Sequence, residues 1–199
     1  MFFSKKLKSF DNVNHCFFSK NGGVSHGVYN SLNCGLGSAD KKKNVLKNLN
    51  IVSKKVGVNF KNLFTMRQTH SNKVAVLNES NKDEIRINSD ALITSQKNVA
   101  IAVLTADCVP ILLYDEVNEI IGSIHAGWRG AVNGIIKNTL SKIIDIGKKT
   151  KINVAIGPCI NMSNYEVGQE FYEKFVDLSK KNKKFFLPTK DKKFLFDLR

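Results

Sequence analysis

The chain has 199 residues, 42% of them hydrophobic, and a formal net charge of +14. This length predicts one compact domain, residues 1–199, with a sizeable buried core. No apolar run reaches the roughly 18 residues that cross a membrane. The apolar start of the chain is followed at once by Ser4 and two lysines, so the signal-peptide pattern is missing. We therefore expect a cytoplasmic protein without a membrane partner.

The positive charge comes from 31 basic residues against 17 acidic ones, and almost all of the basic residues are lysines. Lysine runs mixed with Asn and Ser are typical of a solvated surface, so we predict no nucleic-acid partner. The few arginines are more informative, because a guanidinium group binds phosphate or carboxylate through a planar pair of donors. Arg67 and Arg129 lie close in sequence to His70 and His125.

The four cysteines are scattered and form no CxxC pair. In a reducing compartment this pattern indicates free thiols or a metal ligand, and argues against a disulfide framework.

The first 38 residues alternate short apolar segments with glycine-containing turns. Neither GxGxxG nor GxxxxGK[ST] is present, so tight hairpin turns are favoured over a phosphate-binding loop. Asp40 is a candidate N-cap of a helix whose buried stripe is Val45, Leu49, Val52 and Val56, and Gly57 is the expected stop.

Further along the chain, short apolar runs between turn residues predict strands. The predicted strands cover residues 63–66, 74–77, 90–94, 152–156 and 194–196, with a polar loop at 78–89 and a helix at 165–180. Strands interspersed with helices indicate an α/β or α+β class.

The central stretch runs from residue 99 to residue 138. Two apolar runs flank a polar segment, Thr105 to Cys108, and a third run leads to His125 and a glycine-flanked Trp128-Arg129 pair. After Gly130 the apolar residues recur at helical spacing. The polar segment and the loop after His125 are therefore expected at the ends of neighbouring strands, where α/β sheets usually carry their chemistry.

Two kinds of site are compatible with these residues. Zinc accepts His and Cys at three positions and leaves a fourth position for water or substrate, so His70, Cys108 and His125 form a candidate metal site. Alternatively, Cys108 could be a nucleophile with a lowered pKa beside Asp107 and His125, as in a thiol hydrolase. Only the metal site uses His70.

Asp107 and the Trp128-Arg129 pair have further candidate roles. Asp107 could transfer protons, or could simply tie a turn by accepting backbone N–H groups. Arg129 opens a helical pattern, so its guanidinium and nearby backbone N–H groups could hold one anion. Trp128 either stacks on a purine base or fills the core.

Seven segments resemble, in sequence and in order, the motifs of the YfiH-like purine nucleoside phosphorylase family, long labelled multicopper polyphenol oxidase or laccase-domain proteins. The segments span nearly the whole chain and are NGGVS (21–25), SLN (31–33), RQTHS (67–71), DALIT (90–94), TADCVPI (105–111), HAGWRG (125–130) and IGPCI (156–160).

The resemblance implies a single-domain, sandwich-like fold with mixed sheets and helices packed on them. It implies a zinc ion, with copper as the less favoured metal, at His70, Cys108 and His125. It also implies phosphorolysis of adenosine, inosine and methylthioadenosine, and deamination of adenosine. Asp107, Cys108 and Arg129 are then the catalytic candidates. The residues expected to contact nucleoside or phosphate are Arg67, Gln68, Trp128 and Arg129.

The chain departs from the family pattern in two places. Lys20-Asn21 stands where the family usually carries an Arg before the glycine pair, so a bidentate anion contact would be lost there. Family members also continue for several dozen residues beyond the position of Arg199, which leaves a catalytically silent short form as an alternative. For the assembly we expect a monomer or a weak homo-oligomer.

Copper-dependent oxidation of phenols is a further alternative, because the old family label names it. Several copper ions need many histidine ligands, and the chain has four histidines. The sequence therefore favours zinc and purine nucleosides.

Overall fold

The computed structural model describes residues 1–80 and 87–199, so part of the predicted 78–89 loop lies outside the described residues. Within them, four α-helices and ten strands in three sheets form a mixed α/β fold, which confirms the predicted class. The helices are α1 (Lys42–Lys55), α2 (Trp128–Val132), α3 (Ile135–Gly147) and α4 (Gln169–Leu178). The strands are β1 (Leu63–Thr65), β2 (Val74–Val76), β3 (Ala91–Thr94), β4 (Ala100–Ala102), β5 (Val109–Asp115), β6 (Ile120–Ala126), β7 (Ile152–Ile156), β8 (Glu166–Gly168), β9 (Phe186–Pro188) and β10 (Lys193–Phe196).

The largest sheet has five strands in the order β2-β3-β6-β5-β7. β2 and β3 are parallel, and the other neighbouring pairs are antiparallel. The β5–β6 hairpin lies at its centre, with Asp115 opposite Ile120 and Val109 opposite Ala126. Both strands are buried along almost their whole length, as continuous apolar runs predict. The ends of β5 and β6 are therefore held on a rigid support.

Helix α3 covers one face of this sheet, where it packs against β6, β3 and β2. Its Ile135 and Ile143 are fully buried in a cluster with residues of β3, β5 and β6. The N-terminal segment covers the opposite face, where Leu7 and Phe17 pack against Tyr114. Each fully buried side chain of this kind contributes about 1.5–3 kcal/mol.

Helix α1 buries Val45, Leu49 and Val52, as its apolar spacing predicts. Gly57 follows the helix with a φ of +85°, a conformation that suits glycine. These parts of the α1 prediction are confirmed, whereas Val56 follows the end of the helix and is only half-buried.

The predicted N-cap of α1 is wrong. Lys41 occupies that position, and no side chain caps the helix. The Asp40 carboxylate instead accepts hydrogen bonds from Ser25 Oγ at 2.6 Å and from Asn33 Nδ2 at 3.0 Å. Asp40 thus ties the glycine-containing N-terminal segment together, and this non-local role competes with capping.

The helical pattern after Gly130 corresponds to two helices. α2 already begins at Trp128, and α3 begins at Ile135. Gly134 separates them in a left-handed conformation, with a φ of +85°. The apolar spacing did not predict this boundary, because either Gly130 or Gly134 could have marked it.

The last sheet has the order β8-β10-β9 and packs under α4 around an aromatic cluster. The 165–180 helix prediction is wrong at its start, because residues 166–168 form β8 and pair with β10. The strand predicted at 194–196 is confirmed, whereas β9 was not predicted. In the described parts of the chain, none of the helices combines the length and hydropathy needed to cross a bilayer.

Candidate functional site

The structure brings His70, Cys108 and His125 together at one end of the central hairpin. Cys108 directly precedes β5, and His125 is the second-last residue of β6, opposite Pro110. His70 lies in the connection between β1 and β2. The polar segment before β5 and the end of β6 therefore lie side by side, as the sequence predicted.

Each of the three side chains offers one ligand atom, and these atoms lie within 4.8 Å of one another. The His70 and His125 rings are 4.7 Å apart between centroids, with an angle of 69° between their planes. Nitrogen and sulfur ligands of a tetrahedral zinc ion are about 3.5 Å apart. His125 is buried, whereas His70 is exposed and its side chain is free to move. A modest movement of His70 would bring the ligand atoms to that spacing.

Gly127 leaves space beside two of the three ligands, His70 and Cys108. A Cβ atom at this position would lie 2.7 Å from His70 Nδ1 and 3.1 Å from Cys108 Sγ. Gly127 has an ordinary extended backbone, with φ −73° and ψ 163°. The absence of a side chain is therefore needed for space and not for conformation. A cradle of this kind, lined by two imidazoles and a thiol, fits a small cation.

Asp90 is a residue of the site for which the sequence predicted no chemical role. It directly precedes β3, is fully buried, and places Oδ1 2.8 Å from His125 Nδ1. The same oxygen accepts the His70 backbone N–H at 3.0 Å. Burial raises the pKa of Asp90, but hydrogen bonds from His125 and Ser71 outweigh it, so the pKa lies below its usual value. The only sequence feature that could have indicated this role is the position of Asp90, a single acidic residue directly before an apolar strand.

The protonation of Cys108 and His125 follows from their burial. Burial lowers the pKa of His125, opposed by Asp90, and so favours a neutral imidazole. Burial also raises the pKa of Cys108, with Asp107 and Asp90 acting in the same direction. The lowered pKa predicted for a thiol nucleophile is therefore wrong. A bound cation would reverse this balance, because coordination deprotonates a thiol.

An open groove of about 1480 Å³ leads to these residues. Its lining includes Arg67, His70, Asp107, Cys108 and His125. Arg67 is exposed, so its guanidinium is accessible from this groove.

Gln68 connects the His70 segment to the segment before Cys108. Its Nε2 donates to the Leu104 carbonyl at 2.7 Å, and its Oε1 accepts the Leu104 N–H at 2.8 Å. Through these two hydrogen bonds, the Gln68 side chain fixes the backbone of the loop at Leu104. The predicted contact of Gln68 with substrate stays a prediction.

Trp128 packs into the aromatic cluster under α4. Its ring centroid lies 4.9 Å from that of Phe171 and 5.8 Å from that of Phe175. Of the two predicted roles, the structure thus favours the core over stacking on a base. Arg129 is exposed, with its guanidinium 5.1 Å from the centroid of the Trp128 ring. Among the described residues, Arg129 does not line the groove that reaches the three ligands.

Asp107 is exposed next to Cys108 and borders both the groove and a second cleft of about 370 Å³. Its carbonyl accepts the Ile160 N–H at 2.9 Å, which fixes the backbone of this turn. Burial raises the pKa of Tyr165, and the charges of Cys108 and Asp107 add to that effect. Tyr165 therefore belongs to the surroundings of the site, and its predicted helical position gave no indication of this.

The fold and the three converging ligand atoms define a mixed α/β protein with a candidate three-ligand metal centre. Residues 14–199 match the family described as multi-copper polyphenol oxidoreductase laccase. The chain therefore belongs to this laccase-like YfiH family. A crystal structure of the hypothetical protein YfiH from Bacillus licheniformis superposes with a TM-score of 0.82 and 28% identity, covering 90% of this chain and 71% of that one.

Two curated relatives carry the name purine nucleoside phosphorylase. The one from Rickettsia conorii is 40% identical over 166 residues, which is 79% of this chain and 67% of the relative. The one from Bacteroides thetaiotaomicron is 34% identical over 180 residues, which is 86% of this chain and 67% of the relative. Other relatives of the same name are matched over as little as 54% of their length. The chain thus spans about half to two thirds of the curated relatives that it matches.

Proposed function

We propose that residues 1–199 form a single domain that acts as a zinc-dependent purine nucleoside phosphorylase. Its substrates would be adenosine, inosine and methylthioadenosine, and it would also deaminate adenosine. The observation that carries the proposal is the convergence of two imidazoles and one thiol within 4.8 Å beside the open groove. The names of the relatives supply the substrate class.

The ligand set supports zinc as the metal. Three protein ligands from His and Cys, with one position left open, are typical of catalytic zinc sites. His70, Cys108 and His125 would hold the ion, and Gly127 leaves the room for it. Zinc in such a centre supplies Lewis-acid activation of water near pH 7.

In phosphorolysis, a phosphate oxygen forms a bond to the ribose C1′ while the bond from C1′ to the purine nitrogen breaks. The purine leaves with a proton, and the sugar 1-phosphate remains, which is ribose 1-phosphate for adenosine and inosine and its 5-methylthio analogue for methylthioadenosine. Arg67 is the residue that we assign to the phosphate, because its exposed guanidinium borders the groove and can form two parallel hydrogen bonds. Arg129 would need phosphate to bind outside that groove, so its catalytic role is the less supported of the two.

In deamination, water adds to C6 of adenosine and ammonia leaves, which gives inosine. The reaction needs a group that moves a proton between water and the leaving amine. Asp107 borders the groove beside Cys108 and is exposed, so we assign it this step. The expected partners are thus a purine nucleoside and phosphate, without nucleic acid, in a monomer or a weak homo-oligomer.

The structure favours neither of two other candidate functions. Only two of the four histidines belong to the ligand cluster, and His15 Nε2 accepts the Ser4 N–H at 2.8 Å, which does not suit several copper ions. The raised pKa of Cys108 opposes a thiol hydrolase.

The test is a purified-protein assay with adenosine or inosine, with and without phosphate, together with elemental analysis for metal. Cys108→Ala and His125→Ala should lose both the zinc and the turnover. Cys16→Ala is the matched control, because Cys16 is a half-buried free thiol that is not part of the ligand cluster. Full turnover in both ligand variants would contradict the zinc assignment, and a wild-type protein that binds zinc without turnover would indicate the catalytically silent form.

A further inference from the structure

Asp90 is bonded on both of its carboxylate oxygens, although the side chain is fully buried. Oδ1 contacts His125 Nδ1 and the His70 N–H, as described above. Oδ2 accepts Ser71 N at 2.7 Å, Ser71 Oγ at 2.7 Å and Thr69 N at 3.1 Å. A buried charge is tolerated when its hydrogen-bonding capacity is filled in this way.

We propose that Asp90 is the positioning residue of the metal centre and that it orients both histidines at once. The inference rests on the zinc centre proposed above. Asp90 touches neither the cation nor the substrate in this role. It acts through His70 and His125.

For His125, the effect of Asp90 is on the ring. The carboxylate accepts the Nδ1 proton, so the lone pair lies on Nε2 and the ring is held in one orientation. Partners of this kind keep a metal-binding histidine in the correct tautomer and make its free nitrogen more basic.

For His70, the effect is on the backbone. His70 has a φ of +55°, which is uncommon for a residue with a side chain. The three successive N–H groups of residues 69–71 all donate to Asp90, which holds the segment in this conformation. The direction of the His70 side chain therefore depends on a residue that is attached to β3.

Asp90 also contributes charge. With a cation bound, Cys108 would be a thiolate, so that it and the Asp90 carboxylate would supply two negative charges while the imidazole ligands would supply none. Together they balance a divalent cation and leave an excess negative charge around a monovalent one. This preference agrees with zinc and opposes a reduced, monovalent copper ion.

Asn is the informative replacement, because it has the same shape but one acceptor oxygen. If that oxygen faces His70 and His125, its NH₂ group faces the N–H groups of Thr69 and Ser71. The reverse orientation leaves the two histidines without an acceptor. Either way, one side of the contact is lost without a change in volume.

Asp115 offers a matched control. It is also fully buried, and it accepts Asn118 Nδ2 at 2.6 Å and Lys151 N at 2.8 Å at the far end of β5. Asp115→Asn should lower stability as Asp90→Asn does, but it should leave the metal site unchanged. The pair therefore separates positioning of the ligands from general loss of structure.

The experiment measures zinc affinity by competition with a chromophoric chelator in wild type, Asp90→Asn and Asp115→Asn, alongside chemical denaturation. We expect Asp90→Asn to lose about 10- to 100-fold in zinc affinity, and Asp115→Asn to change it by less than about twofold. Equal affinity of Asp90→Asn and wild type would overturn the inference and leave the proposed zinc centre intact. A wild-type protein that binds no zinc would overturn the centre and the inference together.

A second measurement needs no variant, and so it remains informative if Asp90→Asn fails to fold. The ¹⁵N chemical shifts of the His125 ring in metal-free wild type report which nitrogen carries the proton. Protonation of Nδ1, with Nε2 free, is expected. Protonation of Nε2 with a free Nδ1 would contradict the role of Asp90.

Discussion

Replacing Gly127 by alanine should weaken zinc binding while the fold persists. The added Cβ would lie 2.7 Å from His70 Nδ1, whereas ordinary contacts of a Cβ begin near 3.4 Å. His70 must approach Cys108 and His125 to bind the cation, but the added methyl group would displace its imidazole by about 0.7 Å. Metal–ligand distances tolerate only about 0.2 Å. We expect a loss of about 100-fold in zinc affinity, or about 2.7 kcal/mol. The backbone at Gly127 suits alanine, so folding stability should change by no more than about 1–3 kcal/mol.

The assay is chelator competition on the loaded proteins, with thermal unfolding as the check on the fold. Gly168→Ala is the control, because Gly168 is also an uncapped N-cap glycine with an extended backbone, here before α4. A Cβ at Gly168 meets nothing within 4 Å. The reasoning would be refuted if Gly127→Ala bound zinc as tightly as Gly168→Ala does.

Three further predictions concern residues around the site. Trp128→Leu should cost about 1–3 kcal/mol in a denaturation experiment, because it loses its contact with Phe171, and should leave KM for nucleoside unchanged; a selective rise in KM would restore the base-stacking role. Gln68→Leu removes both hydrogen bonds to Leu104 and should lower kcat in the nucleoside assay, while the free energy of unfolding in a denaturation experiment changes little. An unchanged kcat would argue against this positioning role. Burial lowers the pKa of His125 below its usual 6.5. As the pH falls through 6.5, the unfolded chain therefore takes up a proton before the folded protein does. The free energy of unfolding of the metal-free protein then decreases. His125→Gln should show a weaker fall in denaturation midpoint between about pH 7 and 5, and an identical fall would contradict the assignment.

The central hairpin was predictable because its information is local. β5 and β6 are continuous apolar runs on either side of a short turn, and both are recovered over nearly their full length. β8 was missed because its pairing with β10 depends on residues far along the chain, while the local apolar spacing there favours a helix. The boundary between α2 and α3 depends on Gly134, one of several glycines that could have ended a helix.

The site shows the same division. His70, Cys108 and His125 were predicted because each is a soft or borderline ligand at the end of an apolar run, and the structure brings their ligand atoms together. The role of Asp90 depends on strand pairing, since β3 lies between β2 and β6 and so meets the segments of both histidines. No local pattern encodes that position. Gln68 likewise reaches Leu104 only in the folded chain.

The origin of the three candidate ligands has a consequence for the proposed zinc centre. Cys108 and His125 belong to one hairpin, whereas His70 arrives from the connection to the outermost strand of the sheet. A cation bound by all three side chains would therefore cross-link the hairpin to the segment that carries His70. In the proposed centre, zinc binding would raise the free energy of unfolding by RT ln(1 + [Zn]/Kd), where [Zn] is the free zinc concentration, and so would raise the melting temperature. Scarcity of zinc would thus reduce how much intact protein a cell accumulates, in addition to slowing each molecule's turnover.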